Sequence, residues 1–290
     1  MPQKTSKKKE DALLPGNFGM TELTPRRREL IRPVIENPRA FVLLSVRAAA
    51  ARLNTDPATM VRVVQRMGFA SYRAFQNYLH DLSIANATSL EGMEQNAKPG
   101  IPDYLDATMQ QDVRNLNAVR ATLDADRLAA FAKRMHSAKR ILLIAGDLAR
   151  NLAQYFGDHL SIVGIPVLVA TTAGRSLHVA RAMGKGDVVI AISFRKGLRQ
   201  TVEGMQRARK NGAYTIGITG THVSPVARFA DEYFVAPVDS QSFIDSYVGP
   251  TALVNMMLVA CANYNREASL TFLREAAQEQ RSGSRWFGTE

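Results

Sequence analysis

Two kinds of hydrophobic pattern divide the chain. Beyond Lys139, short apolar runs recur: "RILLIAG", "IPVLVAT", "DVVIAIS", "YTIGITG" and "EYFVAP". Each is strand-length, rich in β-branched residues and free of polar alternation. Such strands are buried on both faces, which predicts a parallel sheet of about five strands inside an α/β sandwich. Helical stretches fill the gaps, among them "ARNLAQYFGDHLSIVG", "LRQTVEGMQRARKNG" and "SPVARFA". In the last, Ser224 is the expected cap and Pro225 the first helical residue. A long apolar helix, "GPTALVNMMLVACANYN", follows the final strand.

Upstream, the apolar positions take helical spacing. Thr24 is placed to cap a helix with Pro25 at its first position. Residues 45 to 69 read "SVRAAAARLNTDPATMVRVVQRMGF". The first helix there, around Val46 to Leu53, is rich in alanine, so a second helix can approach it closely. Asn54 stands where a left-handed residue would end it, a conformation Asn tolerates well. Asp56 is placed to cap the next helix, with Pro57 at its first position. Met60, Val64 and Met67 fall on one face of that helix at i, i+4 and i+7. Ala58, Thr59, Arg62, Gln65 and Arg66 take the other. Two short helices joined by a tight turn, the second with a polar and basic outer face, predict a helix-turn-helix.

The predicted organisation has five parts. A lysine-rich tail, expected to be disordered, spans 1–22, and a helix-turn-helix domain spans 23–85. A linker with connecting helices covers 86–138. The α/β unit covers 139–280, and 281–290 is a C-terminal tail. A helical segment from Asp103 reads as a connecting helix, and "DRLAAFAKRMHSA" reads as a helix packed onto the α/β unit.

Charge sharpens the picture. The net charge is +11, from 37 Lys and Arg against 26 Asp and Glu. The first 80 residues hold about 14 basic against about 6 acidic side chains. That excess favours a polyanionic partner, double-stranded DNA before a membrane surface. On DNA, Thr59 and Arg62 are expected at base edges in the major groove, with Gln65 on the same face. Arg66, Tyr72 and Arg73 are expected at phosphates. The tail and Arg26 to Arg28 would add affinity that salt weakens and that carries no sequence information.

Other chemistry is sparse. The apolar runs fall well short of the roughly 20 residues a membrane span needs. No apolar segment follows the first lysines, so no signal peptide is predicted. Cys261, the single cysteine, lies in an apolar run and reads as a buried thiol of a cytoplasmic protein. His80, His136, His159, His178 and His222 are isolated and lack metal-ligand spacing, so neither metal nor cofactor is predicted. No acidic pair identifies a catalytic acid and base.

The run "ARLNTDPATMVRVVQRMGFASYRAFQNYL" resembles the DNA-binding domain of the RpiR family of bacterial transcription regulators. Asn54 replaces a usual Gly, Asp56 a usual Ser and Met60 a usual Val. The second half of that family is a sugar isomerase (SIS) domain, a parallel α/β sandwich that usually binds phosphosugars and dimerises. The order of elements from Lys139 resembles it over nearly its whole length.

The resemblance implies an anion site at two strand ends. Family members usually carry Ser-x-Ser-Gly-x-Thr after one strand, where backbone N–H groups and hydroxyls cradle phosphate at a helix N-terminus. Here the run is Ser193-Phe194-Arg195-Lys196-Gly197-Leu198. The earlier Gly-rich turn is Ala145-Gly146-Asp147-Leu148-Ala149, which gains a carboxylate. Arg195 and Lys196 place two cations where small hydroxyls usually stand, so an anion can be held in another way. Asp147 would pair with one of them or orient a ligand hydroxyl. Ser240, Ser242 and Asp245, in the loop after the last strand, can reach the same cleft from the carboxyl ends of the strands.

The expectation is a DNA-binding transcription regulator, not an enzyme, acting as a homodimer or homotetramer on a near-palindromic operator. Its α/β domain would sense a small anionic effector, sugar-derived or a carboxylate. Two alternatives remain open here: a sugar-phosphate isomerase on the same fold, and an architectural DNA binder whose α/β domain only dimerises.

Overall fold

The computed structural model describes residues 23–85, 90, 93–94, 100–195, 197–222 and 224–281. The expected N-terminal tail, most of the polar linker, Lys196 and residues 282–290 lie outside the described residues.

The first unit is helical. α1 (Pro25–Glu36) starts after Thr24 with Pro25 at its first position, although the Thr24 hydroxyl makes no capping bond. After α2 (Arg39–Val42), Ser45 caps α3 (Val46–Arg52), its Oγ accepting from the Ala48 N–H at 3.2 Å. Asn54 ends α3 at φ 51°, the left-handed conformation expected of it. Asp56 then caps α4 (Pro57–Arg66), accepting from the Thr59 N–H at 2.8 Å. α5 (Tyr72–Ala85) closes the unit. Ala49 and Ala50 are buried with Met60, Val63, Val64, Met67, Phe75 and Leu79 in one core. The alanine face of α3 thus admits α4 at close range.

The second unit begins with α6 (Ile101–Thr122) and α7 (Ala125–Ser137). Then come β1 (Ile141–Ala145), α8 (Ala149–Ile162), β2 (Leu168–Ala170), α9 (Ala173–Ala182) and β3 (Val188–Ile192). α10 (Arg199–Lys210), β4 (Tyr214–Thr219), α11 (Pro225–Phe229), β5 (Glu232–Val235), α12 (Val248–Tyr264) and α13 (Arg266–Arg281) complete it. The five strands are all parallel, in the order β2-β1-β3-β4-β5. Alternate side chains serve the two faces. Leu143, Ile190, Ile192 and Ile216 pack with Phe131 of α7, Phe156 of α8 and Met257 of α12. Leu142, Ile144 and Val189 pack with Ala180 of α9 and Ala208 of α10 on the other.

In the second unit, two helices have no counterpart among the expected elements. α9 buries only Ser176 and Ala180, so it carries no apolar stripe for periodicity to find. α13 buries only a serine, Ser269, and leaves Phe272 and Leu273 exposed, so its apolar residues form no buried stripe. β2 starts three residues later than the apolar run that predicts it, because it is an edge strand whose first residue is exposed.

Candidate functional site

The outer face of α4 takes shape from its cap. Asp56 fixes the helix start, and hydrogen bonds from Thr59, its side chain first and then its backbone, hold the Asp56 carboxyl below the usual carboxylate range. Arg62, Gln65, Arg66 and Arg73 are exposed, and Thr59 is half-buried. The Arg62 guanidinium lies back along the helix, its Nε donating to the Ala58 carbonyl and Nη2 to the Thr59 hydroxyl, both at 3.2 Å. Three of its five N–H donors remain for a partner by this count. Tyr72 departs from its expected place at a phosphate. Its ring is half-buried and its hydroxyl donates to the Leu44 carbonyl at 3.2 Å, beside Gln76 Nε2, which donates to the same oxygen at 2.9 Å. Its proton is spent on holding α5 against the α2–α3 turn.

The second site follows from the strand order. β1 connects outward to β2 on one side, while β3 leads away through β4 to β5 on the other, so the order reverses between β1 and β3. In an open parallel sheet, the crevice at the carboxyl ends of such a pair is where a ligand fits. Gly146 and Asp147 follow β1 there, and Ser193, Phe194 and Arg195 follow β3.

Both turns carry a non-glycine residue in the left-handed region: Asp147 at φ 52° and Arg195 at φ 54°. That conformation is unfavourable by about 1–2 kcal/mol for a residue such as Arg. Surrounding contacts hold it. The Ser193 hydroxyl is buried and accepts from the Leu198 N–H at 3.0 Å, fixing the corner before α10. A Cβ at Gly146 would lie 2.7 Å from Gln200 Nε2 and 2.8 Å from Leu198 Cδ1, so the two turns meet across this glycine. The Thr201 hydroxyl in the first turn of α10 is fully buried without a hydrogen-bond partner among the described residues.

Arg195 is half-buried and ion-paired, and its partner is Asp245 in the loop before α12. Among the described residues no ion pair joins Arg195 to Asp147, and the other expected pairing of Asp147, with Lys196, lies outside them. Ser240 serves the loop itself, its Oγ accepting from the Ser242 N–H at 3.2 Å. Tyr247, which the sequence did not single out, joins the group with its ring edge-on to Phe194 at 5.3 Å. Burial, then the charges of Asp245 and Asp147, raise its phenol above the ordinary value, so it stays a hydrogen-bond donor. The other unforeseen member is Gln200. Neither bears a sequence signal, since their places follow from contacts far along the chain.

Elsewhere the chemistry is structural. Burial pushes the Cys261 thiol up to about 12, which makes it inert at neutral pH. No group of three or more His, Cys, Asp or Glu among the described residues is placed to hold a metal. A groove of about 600 Å³ runs along β5 between Arg127, Arg134, Tyr214, Tyr233 and Phe234, apart from the corner residues.

The SIS domain family matches residues 134–260. A helix-turn-helix-type transcriptional regulator of Caldanaerobacter subterraneus subsp. tengcongensis, itself uncharacterized, is 27% identical over 221 residues, covering 73% of this chain and 74% of the relative. The Escherichia coli K12 regulators HexR and RpiR are 23% and 18% identical, covering 73% and 78% of this chain and 72% and 79% of their own. Among solved structures, the sugar isomerase domain of an RpiR transcription factor from Sphaerobacter thermophilus aligns with a TM-score of 0.56 at 28% identity. It spans 59% of this chain and 96% of that one. The Vibrio vulnificus NanR protein, complexed with ManNAc-6P, shares the fold at a TM-score of 0.57 and 20% identity, over 92% of this chain and 97% of its own.

Proposed function

We propose that this chain, a SIS-domain protein of the RpiR type related to helix-turn-helix transcriptional regulators, reads double-stranded DNA with α4 and senses a small anion at the β1/β3 corner. The observation that carries the reading is the outer face of α4, where Arg62, Gln65 and Arg66 stand exposed on a helix whose start is fixed by Asp56. A cationic face on a short helix held rigidly from behind is what entry into a major groove requires. Thr59 and Arg62 meet base edges, and Arg66 and Arg73 meet phosphates.

The effector is an anion of the sugar-phosphate or carboxylate class. Arg195 supplies the charge beside the start of α10. The ManNAc-6P of the Vibrio neighbour belongs to the same chemical class. The corner here differs from a hydroxyl-lined cradle, so the ligand is held by guanidinium more than by small side chains. No helix among the described residues is long and apolar enough to cross a membrane, in keeping with a cytoplasmic regulator. A regulator of this kind is no isomerase, and sugar phosphates incubated with it should be returned unchanged.

Two-fold operators call for a two-fold protein. We place the pairing surface on α6. Its residues Ile101, Leu105, Met109, Val113 and Leu116 form one exposed apolar stripe. The acidic Asp103 and Asp106 lie in the first half of this helix and Arg114 in the second. The long apolar α12 buries Leu253, Val254, Met257 and Cys261 within its own protomer, and keeps Met256 and Val259 exposed.

Mapping the DNA sites bound by the chain across its native genome tests the reading. Discrete sites that vanish with Arg62→Ala are expected. Uniform coverage unaffected by that change would point to an architectural binder.

A further inference from the structure

The loop that carries Asp245 also grips α6. Asn115, buried in α6, donates from Nδ2 to the Asp239 carbonyl at 2.8 Å. Gln241 Nε2 donates to Gln111 Oε1 at 3.2 Å, and the buried Ser246 hydroxyl donates to Asp112 Oδ1 at 2.6 Å. Gly249, just beyond, lets α6 lie close, since a Cβ there would meet the Pro237 carbonyl at 2.9 Å and Val119 and Asn115 of α6 at 3.5 and 3.6 Å. One end of the loop is therefore tied to the β1/β3 corner through Arg195, and its whole length is tied to a helix that starts between the two units of the chain.

We infer that residues 239–246 form a strap that reports the state of the corner to α6: an anion that takes Arg195 from Asp245 releases the strap and loosens its hold on that helix. The inference rests on the reading of the corner as an anion site and names how that site is regulated. Its chemistry is an exchange of acceptors. A guanidinium presents a planar fork that a phosphate or carboxylate fills as well as Asp245 does, so an incoming anion can replace the protein carboxylate with little loss to Arg195. Asp245 is then left without its cation beside the incoming anion. Two like charges at that corner repel, which drives the loop outward. Its displacement pulls on Ser246, Gln241 and Asp239, whose partners all lie on one face of α6 within residues 111–115.

Hydrogen exchange on the full chain tests this, with inorganic phosphate as the probe. Asp245→Asn weakens the pair without changing its shape. Arg195→Gly removes the cation and suits the left-handed backbone at that position. Losing a charge-assisted hydrogen bond at the strap should speed exchange of the α6 amides at 108–118 by about tenfold in both variants. Phosphate should produce the same change in the wild-type chain and no change in Arg195→Gly. Unaltered α6 exchange in both variants would overturn the strap. Faster α6 exchange in both variants, with no response of the wild type to phosphate at tens of millimolar, would leave the strap standing and sink the anion as its trigger. Phosphate protection of the corner with α6 unmoved would do the reverse.

Discussion

The face of α4 and the corner between β1 and β3 both carry arginine, yet they hold its charge in opposite ways. On α4, Arg62 bonds only to groups of its own helix among the contacts resolved for it, and Arg66, with Arg73 at the start of α5, faces solvent. At the corner, Arg195 sits half-buried against an aspartate fifty positions away in the chain. The first arrangement awaits a polyanion and needs no rearrangement to meet one. The second is already satisfied and changes state only when something replaces Asp245. A constitutive contact surface and a switch thus differ in whether the protein supplies its own counter-charge.

The largest effect that can break this division lies in the cores. Phe75 is fully buried and packs edge-on against Phe69 at 5.2 Å, within a core made of the helical unit alone. Phe75→Ala should destabilise that unit by about 3–5 kcal/mol. Followed by calorimetry, one thermal transition should fall while that of the α/β unit holds. Both moving together would show that the units fold as one and that neither surface is independent.

Next in size is DNA recognition. Arg62→Ala should weaken operator binding by about 1–3 kcal/mol and relax preference at one base position per half-site. Fluorescence anisotropy against operator and scrambled duplexes separates this from a uniform loss, which would move Arg62 into the phosphate-contacting group. Tyr72→Phe should leave affinity almost unchanged apart from any loosening of the hairpin, since the Tyr72 proton already serves Leu44.

Acid supplies a smaller contrast. Asp187 is buried, and hydrogen bonds from Arg140, with a further one from the Gly184 N–H, hold its carboxyl below the usual range against the opposing effect of burial. A carboxyl depressed in the folded state stabilises fully above its unfolded value of about 3.9, and that contribution is lost as pH falls below it. The α/β transition should therefore weaken below about pH 4 in the wild type and less steeply in Asp187→Asn. Equal pH slopes would contradict this. The smallest effect is on salt dependence: removing Arg66 and Arg73 together should lower the slope of log affinity against log salt by roughly 0.9 for each phosphate no longer neutralised.

Legibility from sequence divides along the same line. The turn after α3 is local: Asn54, Asp56 and Pro57 each have a backbone role fixed by neighbours within four residues, and each takes it. The five strands announce themselves by unbroken apolar runs. α9 does not, because a helix that packs through Ser176 and Ala180 leaves no hydrophobic period. The corner was visible as a place, since the strand end and its Arg-Lys pair adjoin in sequence. Its wiring was not. Asp245 competes with Asp147 for Arg195 on equal terms until the loop is folded, and nothing local marks Gln200, Tyr247 or the strap contacts with Gln111 and Asn115.

The central claim is that α4 reads sequence in a two-fold protein. Selection from a pool of randomised duplexes by the full-length chain tests it and requires no known operator. The account predicts enrichment of a near-palindrome with half-sites about one helical turn apart, centre to centre, and with Arg62→Ala losing information at one position in each half. A pool that stays random, or a motif unaltered by Arg62→Ala, would contradict it.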